Sequence, residues 1–286
     1  MKTLVLVRGG LGNQMFQVAY GEGLRQRLNA EVSFVDFSQD ARVKRDWGLS
    51  VFDVKRTVLT GWRWSLVRWT VILARRLQDQ HGFSLPPGLC IEPEIGGFRP
   101  WPSVRPWIVD GYWQQASYLQ PLLPRLRTLF SVELGKYAQS LQEWRAKQRP
   151  LVAMHVRRGD YVSDPAAAMH LVCDVGYYEK AWSEMLKRVP DAQLVVFSDD
   201  MDWVRAHISL PADTVYALAS KDQPAWVDLM LMRACDHFVI SNSSYSWWAA
   251  FLSDHPAKQV MAPGHWLVGV PTRSIGICPE DWFLLS

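Results

Sequence analysis

The stretch that most constrains this chain is Leu151-Val-Ala-Met154, followed at once by His155-Val-Arg-Arg-Gly-Asp-Tyr161. A short uncharged run bounded by turn signals reads as a buried strand. Ending it in paired arginines, a glycine and an aspartate places cations at the carboxyl edge of a sheet, where open α/β folds bind ligands. Two guanidiniums can fork onto phosphate oxygens, keep their charge at any working pH and stabilise a leaving diphosphate without a metal. Alternate residues of a strand share a face, so His155 and Arg157 should point one way and Arg158 the other. Gly159 lets the backbone turn, and Asp160 either braces an arginine or accepts a proton. Taken alone, the heptapeptide is equally a surface Arg-Asp turn, so its surroundings have to decide.

Those surroundings repeat the pattern. Gln193 to Phe197 is a strand ending in Ser198-Asp-Asp-Met-Asp-Trp203, and His237 to Ile240 is a strand ending in Ser241-Asn-Ser-Ser-Tyr-Ser246 before a helix from Trp247 to Leu252. Asp199 and Asp200 can take hydrogen bonds from a base or ribose. Alternatively Ser198 or Asp199 caps a helix at Met201 to His207, or Asp200-x-Asp202 is the DxD pair that holds manganese in many nucleotide-sugar enzymes. Asn242, Ser243, Ser244, Tyr245 and Ser246 put hydroxyls and amides at a helix N-terminus, a phosphate cradle or a plain cap. Three strand ends thus offer cations, carboxylates and hydrogen-bond donors, and one nucleotide site accounts for all three more simply than three unrelated turns.

The first half opens with a strand at Leu4 to Val7, the loop Arg8-Gly-Gly-Leu-Gly-Asn-Gln14, a helix from Met15 to about Leu28 and a strand at Val32 to Phe37. That is a Rossmann-like start in which Gly10, Gly12 and Asn13 could approach a ligand, although the spacing is not the dinucleotide one and a mere tight turn is the alternative. Gly111-Tyr-Trp-Gln-Gln115 could set an aromatic shelf at another strand end. Arg149-Pro150 stops a polar helix running from Lys136 to Gln148, which sets the domain boundary: 1–149, then 150–286, with an aromatic tail from Trp266 to Trp282 that could cross back over the first domain. Two domains suit a chain of 286 residues.

Composition removes several function classes. The net charge of +3 is too balanced for a nucleic-acid binder, and Cys90, Cys173, Cys235 and Cys278 form no CxxC pair, so neither a zinc site nor a disulfide framework is indicated. MKTLVLVRGG is too soon interrupted to be a signal peptide, and the expected location is the cytoplasm. Most of the 15 tryptophans should be core, with some able to stack on sugar rings. Gly61 to Leu77 is a helix with four arginines and no acid. It either lies peripherally on the inner membrane face or packs on its own domain with the arginines reaching water.

GGLGNQMFQ, HVRRGDYV, FSDDMDW and SNSSYSWWAAFL, in this order and spanning positions 9 to 252, closely resemble the bacterial α-1,2-fucosyltransferases. The resemblance implies a GT-B-like α/β fold of two Rossmann-like domains with a cleft between them. It also implies a GDP-fucose donor held mainly by the C-terminal half, inversion at the sugar, and no metal or other cofactor. His155 and Arg157 match the family's donor-binding motif, and the Phe197 to Asp200 and Ser241 to Ser246 stretches match its other two. The acceptor would be a galactose-containing oligosaccharide or a lipid-linked glycan. Departures lie at Gly111 to Tyr118, which only partly keeps a GYFQSEKYF-like pattern, and at Gly176, where an aspartate is usual. Arg157 is expected to stabilise the leaving group and Asp160 to be the base, with Asp164 and Glu22 as rivals. A transferase for another GDP-sugar, or a non-catalytic nucleotide- or sugar-binding module, would keep much of the same pattern.

Overall fold

The computed structural model describes residues 2–40, 45–81, 84–92, 100–159, 169–170, 173–217 and 223–286. The chain forms two units, Met1–Ser131 and Val132–Ser286. Each is an α/β unit around a parallel sheet, as the two-Rossmann expectation requires.

In the first unit, β1 (Thr3–Val7) leads into α1 (Leu11–Leu28) and back to β2 (Val32–Asp36), which pairs with it in parallel. Strands β3 (Arg56–Thr57), β4 (Leu89–Ile91) and β5 (Ile108–Asp110) complete a sheet of order β3-β2-β1-β5-β4, with α2 (Gly61–His81) between β3 and β4. The helix after β1 starts at Leu11 rather than Met15 because Gly9, at φ +83°, makes the whole turn, a left-handed conformation that favours glycine. Gly12 and Asn13 therefore lie in the first turn of α1 and not in a loop. The α1 face of Met15, Phe16, Ala19 and Tyr20 is fully buried, and the Tyr20 ring is stacked between Trp101 and Trp113 at centroid distances of 4.6 and 4.0 Å. Short helices α3 (Ala116–Leu119) and α4 (Leu123–Leu129) close the unit.

The second unit begins earlier than the 149/150 boundary read from Pro150. Helix α5 (Ala138–Arg145) belongs to it because its side chains are held there: Arg145 Nη2 lies 3.0 Å from Asp236 Oδ1, and Trp144 sets its edge on Phe197. Next come β6 (Leu151–Val156), α6 (Val175–Arg188), β7 (Gln193–Ser198), α7 (Met201–His207), β8 (Val215–Tyr216), α8 (Ala225–Arg233), β9 (His237–Val239) and α9 (Ser244–Leu252). The chain ends through β10 (Val260–Pro263), a small antiparallel pair β11 (His265–Leu267) and β12 (Val270–Pro271), α10 (Thr272–Ile275) and β13 (Phe283–Leu285). The sheet order is β13-β10-β9-β6-β7-β8, all parallel, with every residue of β6 buried. The tail does not leave this unit: β13 pairs with β10 as the edge strand, and Trp282 packs against Trp247, whose indole N–H donates to the Ile277 carbonyl at 2.9 Å. An aromatic and apolar end is more stable on its own sheet edge than on a distant surface. The tryptophans divide between core and surface, with Trp64 and Trp203 packing half-buried against the two cores and Trp101 on Tyr20. Trp113, Trp182, Trp247, Trp248, Trp266 and Trp282 are buried, whereas Trp62, Trp69 and Trp107 are more than half exposed.

Candidate active site

The central strand β6 pairs with β7 on one side and β9 on the other, so strand order reverses beside it, and the carboxyl ends at such a reversal are where open α/β sheets bind ligands. Three loops meet there. The β6–β7 register pairs His155 with Phe197 and Val156 with Ser198. Continued past the strand ends, it brings Arg157 beside Asp199 and Arg158 beside Asp200. Arg157 Nη1 lies 2.8 Å from Asp199 Oδ2, and Arg158 Nε lies 3.3 Å from Asp200 Oδ2. The Arg158 backbone N–H also donates to Asp199 Oδ1 at 2.9 Å, and its guanidinium carbon stands 3.7 Å from the centre of the Trp203 ring, a cation–π contact. The braces for the arginines are thus the β7 carboxylates. A signal for this was present in the sequence, since two arginines follow one strand and two aspartates follow the next at the same offset. Asp160, given the bracing or basic role, lies outside the described residues, and so does Asp164.

Gly159 serves close approach rather than a positive-φ turn. A Cβ placed on it would stand 2.5 Å from Asp199 Oδ2, while its own φ is not left-handed. Asp200 Oδ1 caps α7 by accepting the Trp203 N–H at 3.2 Å, and the Asp200 N–H donates to Ser198 Oγ at 3.0 Å. The cap is Asp200, where Ser198 or Asp199 was expected. Asp200 thus bonds both the cap N–H and Arg158, and Asp202 is exposed in the first turn of α7.

His155 is buried, with Nδ1 3.1 Å from Ser241 Oγ and its ring 5.7 Å from that of Tyr245. Burial, and then the charge of Arg157, lower its pKa to about 3. The imidazole is therefore neutral at any working pH and adds a hydrogen-bonding group but no third cation.

The third loop divides. Ser243 caps α9 by accepting the Tyr245 N–H at 3.3 Å, and Ser244 opens the helix partly exposed, so both stand at its positive end. The other three side chains turn into the protein, unlike the donor-facing expectation. Asn242 Nδ2 donates to the carbonyls of His170 and Trp266, each at 2.9 Å, and Ser246 Oγ donates to the Ser243 carbonyl at 3.4 Å. The Tyr245 hydroxyl donates to the Ala225 carbonyl. Each finds its partner in the fold because a buried polar group without one is costly. Asp228, in the first turn of α8, was not singled out from the sequence. Its Oδ1 accepts Gln223 Nε2 at 2.7 Å, and burial raises its pKa to about 6 against the lowering effect of that bond.

Gly10, Gly12 and Asn13 belong to the first unit, where the order reversal falls between β1 and β5. Gly10 is the cap residue of α1, and the space beside its Cα is open; Asn13 Oδ1 accepts Gln114 Nε2 at 2.8 Å. Two residues there carried no earlier assignment. Arg8 Nη1 lies 2.6 Å from the buried Asp110, and Gln17 ties the two strand ends together, accepting the Arg8 N–H at 2.9 Å and donating to the Gly111 carbonyl at 3.2 Å. Of the expected aromatic shelf, Trp113 is buried and Tyr112 is exposed. Glu22, a rival base, is held by Arg25 and, at 3.3 Å, by Arg125, while Arg25 also bonds the Val32 carbonyl at the start of β2. It stands toward the opposite end of that sheet.

Comparison with known proteins adds what geometry alone does not. The family model described as glycosyl transferase family 11 matches residues 95–265, which include all three loops. An Escherichia coli alpha-1,2-colitosyltransferase is 31% identical over 177 residues, 60% of this chain and 60% of its own length. The E. coli O-antigen biosynthesis glycosyltransferase WbnK is 26% identical over 292 residues, 91% of this chain and 93% of its own. The mouse galactoside 2-alpha-L-fucosyltransferase Sec1 is 32% identical over 146 residues, 49% of this chain but only 40% of its own length.

Proposed function

The chain belongs to glycosyl transferase family 11, and on that footing we propose that it transfers L-fucose from GDP-β-L-fucose to the 2-hydroxyl of a galactoside, with inversion and without a metal. The observation that carries this reading is the set of three loops at one strand-order reversal: two arginines aimed by carboxylates, a serine-capped helix N-terminus and a neutral histidine. In a single displacement the acceptor oxygen bonds to C1 of fucose as the C1–O bond to the β-phosphate breaks. The electron pair leaves with GDP, and the acceptor proton passes to a base. Arg157 and the Ser243-Ser244 end of α9 would stabilise the growing diphosphate charge, Asp199 and Asp200 would meet the guanosine, and Asp160 would take the proton. In the first unit, Gly10, Gly12 and Asn13 would approach the donor. A lipid-linked acceptor would be met at the cytoplasmic face of the inner membrane, with the 61–77 helix as a peripheral contact.

A second reading, transfer of colitose, rests on the relative that bears that activity in its name. One experiment separates the two: incubation with GDP-fucose or GDP-colitose and a galactoside panel in the presence of a chelator, followed by linkage determination by NMR. Fucose on O2 of galactose is expected. Preferred transfer of colitose would overturn the donor assignment. Activity abolished by the chelator and restored by manganese would overturn the metal-free mechanism and revive Asp200 and Asp202 as ligands.

A further inference from the structure

Helix α2 has two faces of opposite logic. Inward, Val67, Val71 and Ala74 are buried and the Trp64 ring lies 4.6 Å from that of Phe37. Two of its arginines are committed on this side, Arg68 to Asp40 and Arg75 to Asp110 at 2.8 Å. That face needs nothing more. Outward, where a surface helix ordinarily carries polar residues, Trp62, Leu66, Trp69, Leu73 and Leu77 are exposed by 71, 59, 61, 59 and 37%. Steps of three and four residues put all five in one line along the helix, and Val58, 57% exposed, lies just before it in the chain. The stripe shows roughly 500 Å² of apolar surface, at the upper end of what a monomer leaves uncovered without a use for it.

The charges choose the occupant. Arg63 and Arg76 are exposed, Arg63 with its guanidinium 5.5 Å from the Trp62 ring, and Gly61 to Leu77 contains no carboxylate. A second copy docking through the same stripe would bring like charges together with no acid within Gly61 to Leu77 to pair them, the one carboxylate of α2, Asp79, following the stripe. A bilayer with anionic headgroups satisfies both features, because leucines and indoles enter the headgroup–acyl boundary while arginines stay at the phosphates. We infer that the outer face of α2 docks on an anionic lipid surface through Trp62, Leu66, Trp69, Leu73 and Leu77, with Arg63 and Arg76 on the headgroups.

This extends the peripheral contact proposed above to a face, a lipid charge and a residue set. It is measured without turnover, so its failure and that of the sugar assignment are distinguishable. The full chain is sedimented with vesicles of phosphatidylethanolamine and phosphatidylglycerol, and separately with phosphatidylcholine alone. Binding to the anionic vesicles only is expected. It should fall about tenfold or more in W62S/W69S, and fall with rising salt in a way that R63Q/R76Q abolishes. All four side chains are exposed, so melting temperatures should match the parent. Failure to bind anionic vesicles would overturn the inference, as would equal binding by W62S/W69S or a dimer, seen by analytical ultracentrifugation, that the same substitutions dissolve.

Discussion

Gly159→Ala tests how the site is aimed. Alanine is admissible to the backbone there, since Gly159 is not at positive φ. The added methyl would stand 2.5 Å from Asp199 Oδ2 and 3.2 Å from its Cγ, whereas ordinary contact begins near 3.4 Å. The carboxylate oxygen must therefore retreat by about 0.9 Å, the difference of 3.4 and 2.5. That same oxygen is the one 2.8 Å from Arg157 Nη1, and its partner oxygen accepts the Arg158 N–H at 2.9 Å. A swing of this size releases Arg157 or drags it from its place, and the charge-assisted bond that it then fails to make to the diphosphate is worth about 1.5–3 kcal/mol. Either outcome should raise the dissociation constant for GDP by about 10- to 150-fold. Asp199 is partly exposed, so water takes up the displaced carboxylate, and fold stability should change by less than about 1 kcal/mol. Calorimetric titration with GDP beside a thermal melt reads both quantities. Unchanged GDP affinity would show that the Asp199 pair does not aim Arg157. A melting temperature lowered by more than about 4 °C would show that Gly159 serves the fold instead.

Three further outcomes are expected. Arg157→Lys, which loses the planar fork, should reduce turnover by about 100-fold, and Arg158→Lys less; steady-state kinetics giving the reverse order would reassign the phosphate arginine. Asp199→Asn combined with Asp200→Asn should weaken GDP binding about tenfold or more in calorimetry, and unchanged affinity would leave both residues as helix cap and brace. Burial holds Asp228 protonated up to about 6 against an ordinary 3.8, so the unfolded chain gives up this proton first and the group's contribution to stability falls as pH rises from about 4 to 6. Asp228→Asn should therefore raise stability relative to the parent at pH 8, by at most about 2–3 kcal/mol, and hardly at pH 4; denaturant midpoints showing the same gain at both would refute it.

How much was legible depends on whether a residue's partner is local. β6 was readable because the uncharged run Leu151 to Met154 is short and bounded by turn signals, and all six residues of the strand are buried; the loops after β6, β7 and β9 followed from where strands end. The start of α1 was not, because one glycine at φ +83° did the work assigned to a run of three. The boundary at Pro150 was plausible on local grounds, yet α5 is fixed to the second unit by Arg145 on Asp236, a contact that no periodicity reports. Side-chain direction was the least visible property. Asn242, Tyr245 and Ser246 have the right chemistry for a ligand, but carbonyls of His170, Trp266, Ala225 and Ser243 claim them first.

The pairing of cations with carboxylates also bears on where the acceptor proton can go. Arg157 with Asp199 and Arg158 with Asp200 make an almost neutral cluster whose guanidinium planes are fixed before any ligand arrives, one of them additionally by Trp203. A guanidinium has five N–H donors, so one carboxylate contact orients it without exhausting it, and the reorganisation that a phosphate would otherwise demand is already done. The same pairing leaves the braces poorly placed as bases, because Asp199 already accepts from Arg157 and the Arg158 N–H, and Asp200 from Arg158 and the Trp203 N–H. His155 is neutral, but its pKa of about 3 makes it a still weaker acceptor. Among the described residues at these three strand ends, no group is poised to take a proton. That leaves the step to the carboxylates outside the described residues, Asp160, next in the chain after Gly159, and its rival Asp164.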